Sequence, residues 1–219
     1  KWISFLADGI LSGLMLGIGG MVSLSSENRF LGAFLFSLGL FCIVQFKYGL
    51  FTGKVGYIVS RDLPYVAETA VTLVGNALGT LIAALLLRQV RFFTSTVSTM
   101  DVTISDRVQA TVDGKIHDNP LSIFILAIFC GILMFTAVEG SRKCKEEKNF
   151  AGSLFVVVMP VMVFIICGFN HCIADMFYYF FAGCPEPSKA IVYFILAIAG
   201  NSVGGMIVPL LKKLSNQPL

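Results

Sequence analysis

Two apolar stretches of this sequence, 30–59 and 150–181, are too long for single upright membrane helices, and each is interrupted in its second half. About 20 apolar residues cross a bilayer. The first stretch is interrupted by Lys47-Tyr48-Gly49-Leu50-Phe51-Thr52-Gly53-Lys54. The second is interrupted by Gly168-Phe169-Asn170-His171, followed by Asp175. A helix broken at membrane depth exposes backbone groups that lipid cannot satisfy, so the break must be buried in protein or line a cavity. Ionisable groups at that depth cost on the order of 2–3 kcal/mol and survive where they line a pathway. The region around His171 therefore reads as the middle of a pore.

The rest of the chain agrees with a membrane setting. Of 219 residues, 56% are hydrophobic and 13% charged, and no soluble domain of this size needs that much apolar surface. The mean hydropathy is +0.84. A formal net charge of +3 is too small to favour nucleic acid as a partner. The first residue is Lys1, so the native start is expected to lie upstream, and no secretory cleavage site is evident. None of the cysteines Cys42, Cys130, Cys144, Cys167, Cys172 and Cys184 forms a CxxC, and no disulfide, metal or cofactor is expected.

Hydropathy predicts six spans, at 3–24, 30–59, 65–87, 121–138, 150–181 and 190–211. The second and fifth are the broken ones. Broken helices at matching places in two halves point to a transport site between inverted repeats. A second internal match agrees: Gly75-Asn76-Ala77-Leu78-Gly79 and Gly200-Asn201-Ser202-Val203-Gly204 both read GNxxG, each in the span after its break. Three spans per half is odd, so the halves must be oppositely oriented. The expected fold is all-α: one membrane domain over 1–219, with three-helix repeats at 1–90 and 120–214. The polar connection 91–119 is expected to form a small external cap without an assigned fold. It contains alternating patches such as 108–112. Arg142, Lys143, Lys145 and Lys148, read as a loop, join Lys1, Lys212 and Lys213 on one side, expected to be cytoplasmic. Arg88 and Arg91 fall on the other side. Glycines one turn apart, such as Gly9, Gly13 and Gly17, are expected to let helix backbones approach closely.

His171 is the first candidate for chemistry. A neutral imidazole donates a hydrogen bond, and its charge changes near neutral pH. The plainer alternative is a histidine bonded between helices. Thr52 is the second, a hydroxyl in a loop whose flanking glycines permit unusual backbone angles. Phe51 and Phe164 flank the breaks and could strip water from a solute. Lys47, Lys54 and Lys115 are candidate vestibule cations that would concentrate anions, although lysines near helix ends also snorkel to headgroups. Asp175 suits a helix-capping or interhelical role better than a metal site. Asn170, Asn76 and Asn201 are expected to stand behind the pore-lining residues.

The pattern resembles the formate/nitrite transporter family along nearly the whole chain. Gly168-Phe169-Asn170-His171-Cys172-Ile173-Ala174-Asp175-Met176-Phe177 is similar to the family's G-F-E-H-x-x-A-N-M-F, with Asn170 for Glu and Asp175 for Asn. Leu50-Phe51-Thr52-Gly53 is similar to its L-F-T-G loop, and Gly200-Asn201-Ser202-Val203-Gly204-Gly205 to its G-N-x-x-G-G. The resemblance implies an aquaporin-like six-helix fold, a homopentamer in a bacterial plasma membrane and one pore per protomer. His171 matches the central histidine and Thr52 the threonine of the second helix. Phe51, Phe164, Phe36 and Leu40 match the apolar positions of the two constrictions, with Leu50 beside them. Lys115 matches the lysine before the fourth helix.

The departures also carry information. Lys47, Tyr48 and Gly49 stand where small residues and an acid usually precede L-F-T-G. Met134-Phe135 follow Gly131-Ile132-Leu133, where a Cys-Asn pair is usual. These changes resemble the family's hydrosulfide-conducting branch. The expected activity is conduction of small monovalent anions, hydrosulfide first, with formate, nitrite or chloride as further solutes. A formate or nitrite channel, or a proton-coupled carrier, is the first alternative. An aquaporin-like neutral-solute channel is the second, although paired Asn-Pro-Ala motifs are absent. An intramembrane enzyme is not expected, since no HExxH, GxSxG or second histidine at depth is present.

Overall fold

The structure, a computed structural model, describes residues 1–97 and 102–216; residues 98–101 of the polar connection and 217–219 of the expected domain lie outside the described residues. Six helices among the described residues are long and apolar enough to cross a membrane. They are α1 (Trp2–Ser25), α2 (Arg29–Phe46), α4 (Leu63–Leu87), α6 (Pro120–Glu146), α7 (Phe150–Cys167) and α9 (Pro187–Leu214). Two short helices, α3 (Phe51–Lys54) and α8 (Cys172–Phe181), follow the breaks after α2 and α7. A 3-10 turn, Val55–Ser60, carries the chain from α3 toward α4.

The two halves pack in the same pattern. In the first, α1 lies against α2 and α4; in the second, α6 lies against α7 and α9, and α2 meets α7 between them. Close approach of α1 to α4 and of α6 to α9 rests on equivalent glycines. A Cβ on Gly13 would strike the Asn76 carbonyl oxygen, and one on Gly131 the Asn201 carbonyl oxygen. Both termini lie on one side. There Lys1 pairs with Glu68 at the start of α4, at 3.0 Å. On the same side Tyr57 donates to Glu139 near the end of α6, at 2.6 Å.

The breaks are held by one device used twice. Asn76, midway along α4, accepts the Phe51 N–H (2.9 Å) and donates to the carbonyls of Gly9 (2.9 Å) and Gly49 (2.8 Å). Asn201, midway along α9, accepts the Cys172 N–H (2.9 Å) and donates to the carbonyls of Ala127 and Asn170, both at 2.8 Å. Each amide thus satisfies one N–H and one carbonyl that a broken helix frees where water is absent, and ties them to an intact helix through Gly9 or Ala127. Because both asparagines sit at helix midpoints, the first residues of α3 and α8 lie near mid-depth. The ends of α2 and α7 also correspond: Tyr48 N–H donates to Ile43, and Phe169 N–H to Phe164, both at 2.9 Å.

Two expectations are corrected. The fourth span runs to Glu146, so Arg142, Lys143 and Lys145 lie on its last turns and not in a loop. Hydropathy fades there before the helix does, because cations are favourable at a helix C-terminus. The polar connection is not without regular structure. It holds an antiparallel pair, β1 (Thr96–Val97) and β2 (Val102–Thr103), with Thr96 opposite Thr103, followed by helix α5 (Ile104–Ile116). Ile104, Val108, Val112 and Ile116 are its buried stripe, so the alternation at 108–112 was one turn of a four-residue period. Arg88 is committed to structure: it donates to the Phe181 carbonyl at 2.7 Å and caps α8. Arg29 caps α7 in the same way through the Ile166 carbonyl, at 2.7 Å.

α5 begins in a capping box. Thr103 accepts the Asp106 N–H, and the Asp106 carboxylate accepts the Thr103 hydroxyl (2.6 Å) and N–H (3.0 Å). These bonds from the Thr103 hydroxyl and backbone hold the exposed Asp106 carboxyl below its ordinary range. A depressed carboxyl stabilises above the ordinary carboxylate range and loses that effect as pH falls through the lowered range. Thr103→Ala is therefore expected to lower the thermal midpoint at neutral pH and to lower it less in acid. An equal loss at both pH values would show that the box does not act through this carboxylate. Asn76→Leu and Asn201→Leu, each orphaning an N–H and a carbonyl at its break, are expected to cost on the order of 3 kcal/mol. Unfolding in detergent measures this, and a near-neutral result at either position would remove the asparagines from the account.

Candidate functional site

The brackets fix which residues meet at the centre. The chain passes each asparagine as Gly49-Leu50-Phe51 or Asn170-His171-Cys172, so Leu50 and His171 occupy equivalent stations. Thr52 is equivalent to Ile173, not to the histidine. His171 is the N-cap of α8 and its Nδ1 accepts the Ala174 N–H at 3.1 Å. An amide can only donate, so Nδ1 carries no proton and the neutral ring holds its hydrogen on Nε2. This tautomer is assigned from the hydrogen-bond pattern. Nε2 stands 3.0 Å from Thr52 Oγ1, so the imidazole donates to the threonine and leaves the hydroxyl hydrogen free to donate onward.

Apolar residues close both sides of this pair. The Phe164 ring centroid is 5.6 Å from that of His171, and Phe36 meets Phe164 edge-on at 5.7 Å. Beyond these lie two cavities, each about 410 Å³. The cavity on the side of the termini is bounded by Leu50 and Ile43 and rimmed by Lys47, Lys54, Arg142 and Lys145. The far-side cavity is bounded by Phe164 and rimmed by Arg29, Arg107 and Lys115, with Glu27 and Asp175 among them. His171 (1% exposed) and Thr52 (0%) line neither cavity, so the pair lies buried in protein rather than on a cavity wall.

Lys115 does not hang free in its cavity. It donates to Asn170 Oδ1 at 2.7 Å and pairs with Asp175 at 3.2 Å. Asp175 also accepts the buried Tyr193 hydroxyl at 2.6 Å, and Asn170 donates to the Ile123 carbonyl at 3.2 Å. The carboxylate thus lies one turn along α8 from the histidine, with a neutral amide next to His171.

The remaining candidates are distributed as follows. Leu50 and Phe164 bound the cavities, and Phe36 backs Phe164. Phe51 and Leu40 are buried and line neither cavity; the bracketed group of Phe51 is its N–H. Lys54 lies 4.9 Å over the Phe5 ring and 5.5 Å over Tyr65. Among the participants that the sequence reading did not single out are Ile43, Tyr193, Arg107 and Lys145. Aligning the two breaks residue by residue pairs Ile43 with Phe164, which was a usable signal. A hydroxyl in the apolar run of α9 pointed weakly to Tyr193. Nothing local marks Arg107 or Lys145, whose roles come from distant carbonyls, those of Leu24 and Ser26 for Arg107 and of Val44 for Lys145.

One group of side chains among the described residues has metal-ligand spacing: Asp113, His117 and Glu186, all exposed. Lys189 already occupies it, 2.7 Å from His117 Nε2 and 2.7 Å from Glu186. The hydrogen bond from Lys189 holds the Glu186 carboxyl below its ordinary range. The group ties α5 to α9 as an ion-pair cluster.

Residues 1–213 match the family described as formate/nitrite transporter. The formate channel FocA of Haemophilus influenzae is 28% identical over 152 residues, which is 68% of this chain and 52% of the relative. The chain thus spans about half the length of that relative. The uncharacterized transporter YrhG of Bacillus subtilis is 27% identical over 225 residues, covering 93% of this chain and 81% of the relative. Among solved structures, a pentameric formate channel with formate bound aligns with a TM-score of 0.80 at 23% identity, over 98% of this chain and 97% of the other. An FNT family ion channel aligns with a TM-score of 0.79 at 16% identity, over 99% and 90%. These two likenesses establish the shared fold. With the family model covering almost the whole sequence, the chain belongs to the formate/nitrite transporter family.

Proposed function

We propose that this chain forms a homopentameric membrane channel for small monovalent anions, hydrosulfide first, with one pore in each protomer. The observation that carries this reading is the His171–Thr52 pair at 3.0 Å, set between two cation-rimmed cavities at the meeting of two broken helices. The pentameric assembly follows the solved relative described as a pentameric formate channel. A bacterial plasma membrane with both termini cytoplasmic fits the lysines and arginines on the termini side.

The chemistry runs from the rim inward. Cations raise the local anion concentration at each mouth. Phe164 on one side and Leu50 on the other must move aside, and a solute passing them sheds water. Between them the Thr52 hydroxyl, polarised by Nε2–H, offers a hydrogen bond where the low dielectric makes it strongest. A proton on Nε2, one hydroxyl away, is placed to reach a basic anion in transit.

Hydrosulfide suits this centre better than formate does. It is one polarisable atom needing few donors, and the site presents a single donor chain within apolar walls. The residues beside the centre lack a carboxylate, since Asn170 stands next to His171 and its oxygen is taken by Lys115. Met134 and Phe135 are buried on α6, where the family commonly carries polar residues. A formate or nitrite channel remains the alternative that the relatives' names favour.

Flux in proteoliposomes tests the reading. Hydrosulfide is expected to cross faster than formate or nitrite; the reverse order would move the chain to the formate branch. Water flux without anion current would make it a neutral-solute channel, and uptake against the solute's gradient driven by pH would make it a carrier. Thr52→Val leaves Nε2–H unpaired and is expected to slow anion flux roughly tenfold, and His171→Phe is expected to slow it further. Unaltered flux in His171→Phe removes the imidazole from the mechanism. Asp175→Asn strands the Lys115 ammonium and is expected to cost roughly 3 kcal/mol of stability, while Asp175→Asn with Lys115→Met costs less than the sum. Additive losses would show that the pair is not coupled.

A further inference from the structure

The two breaks are built alike, so a departure at equivalent stations stands out. The C-cap of α7 is Gly168 in the left-handed region (φ 71, ψ 24), where glycine is at ease. The C-cap of α2 takes the same conformation (φ 60, ψ 33), yet the residue is Lys47. A side chain there is strained, and such strain persists where the side chain has a task.

Its surroundings suggest what that task is. Lys47 and Lys145 line the same cavity of about 410 Å³, whose other walls are largely apolar: Ile43, Val44, Leu50 and Val138. Lys47 stands at the end of α2 and Lys145 in the last turn of α6, so two helix ends bring their cations to this one cavity. Lys145 donates to the Val44 carbonyl at 2.8 Å, at the end of the helix that Lys47 caps. Among the described residues no ion pair joins either lysine to a carboxylate. The other cations of this cavity are engaged. Arg142 is held by Glu139 and Glu146, each at 2.6 Å, and Lys54 lies over two aromatic rings. On the far side, by contrast, Lys115 is paired with Asp175.

Two like charges gathered over an apolar cavity repel each other unless an anion joins them. We propose that Lys47 and Lys145 form a holding site for a small monovalent anion at the termini-side mouth, immediately before the Leu50 closure. The site gives the channel unlike mouths: on the termini side two lysines without an ion pair among the described residues, and opposite them a lysine paired with Asp175. The inference rests on the anion-channel reading.

The test uses the full chain in proteoliposomes, with vesicles of each orientation separated by accessibility of a C-terminal tag. Sodium hydrosulfide and sodium formate are the probes, titrated on each face. Lys47→Gly relieves the strained backbone, so its thermal midpoint is expected to equal or exceed that of the unaltered chain. Its half-saturating anion concentration is nevertheless expected to rise about threefold on the termini face, the effect of one charge a few ångströms away in a wet cavity. The rise should exceed that on the far face. Lys145→Met should shift the same way, and Lys47→Arg should retain most of the affinity. An unchanged half-saturation in Lys47→Gly would assign the lysine to lipid headgroups and overturn the proposal. A lower thermal midpoint with equal shifts on both faces would assign it a structural role and overturn it as well. Absence of anion flux in the unaltered chain would instead remove the channel reading on which the site depends.

Discussion

A carboxamide at the midpoint of a membrane helix is the interaction on which the rest of this structure depends. Breaking a helix inside a bilayer frees backbone groups with no water to meet them, each at a cost of several kcal/mol. Asn76 and Asn201 meet that demand with both ends of the amide, one oxygen for an N–H and one nitrogen for two carbonyls. The breaks can then lie at mid-depth without lipid contact. Equivalent glycines on α1 and α6 allow the backbones to come close enough for those bonds. The polar centre follows from the brackets, since the residue beside each bracketed carbonyl is presented to the space between the halves.

The two halves share a frame and differ in what it carries. One presents Leu50 and the other His171 at the same station, so a symmetric scaffold yields an asymmetric centre between the halves. The same asymmetry extends to the mouths. On the far side the charge of Lys115 is balanced by a carboxylate that a buried tyrosine holds in place. In the termini-side cavity Lys47 and Lys145 have no ion pair with a carboxylate among the described residues. Three arginines, Arg29, Arg88 and Arg107, are engaged with the carbonyls that end α7, α8 and α1.

Much of this was legible in the chain. The six spans, the two breaks and the doubled GNxxG marked an inverted repeat, because lipid forces apolar length and interrupted helices into view. His171 and Thr52 stood out since polar groups at that depth are costly. What stayed hidden was pairwise and distant. The four-residue stripe of α5 imitated a two-residue alternation over 108–112. The end of α6 ran past its apolar segment into residues that look like a loop. Tyr193, eight residues before Asn201, gave no sign that its hydroxyl meets Asp175.

The sequence by itself determined the membrane fold, because apolar length, helix-breaking residues and their repetition are local properties that lipid reads directly. It also determined which side chains would be expensive at depth. Only the tertiary structure decided how those groups are made affordable. It set the meeting of His171 Nε2 with Thr52, the bond from Lys115 to Asn170, and the lysine and tyrosine that hold the Asp175 carboxylate. Each of these depends on which atoms from remote parts of the chain come within hydrogen-bonding distance, and packing alone fixes that.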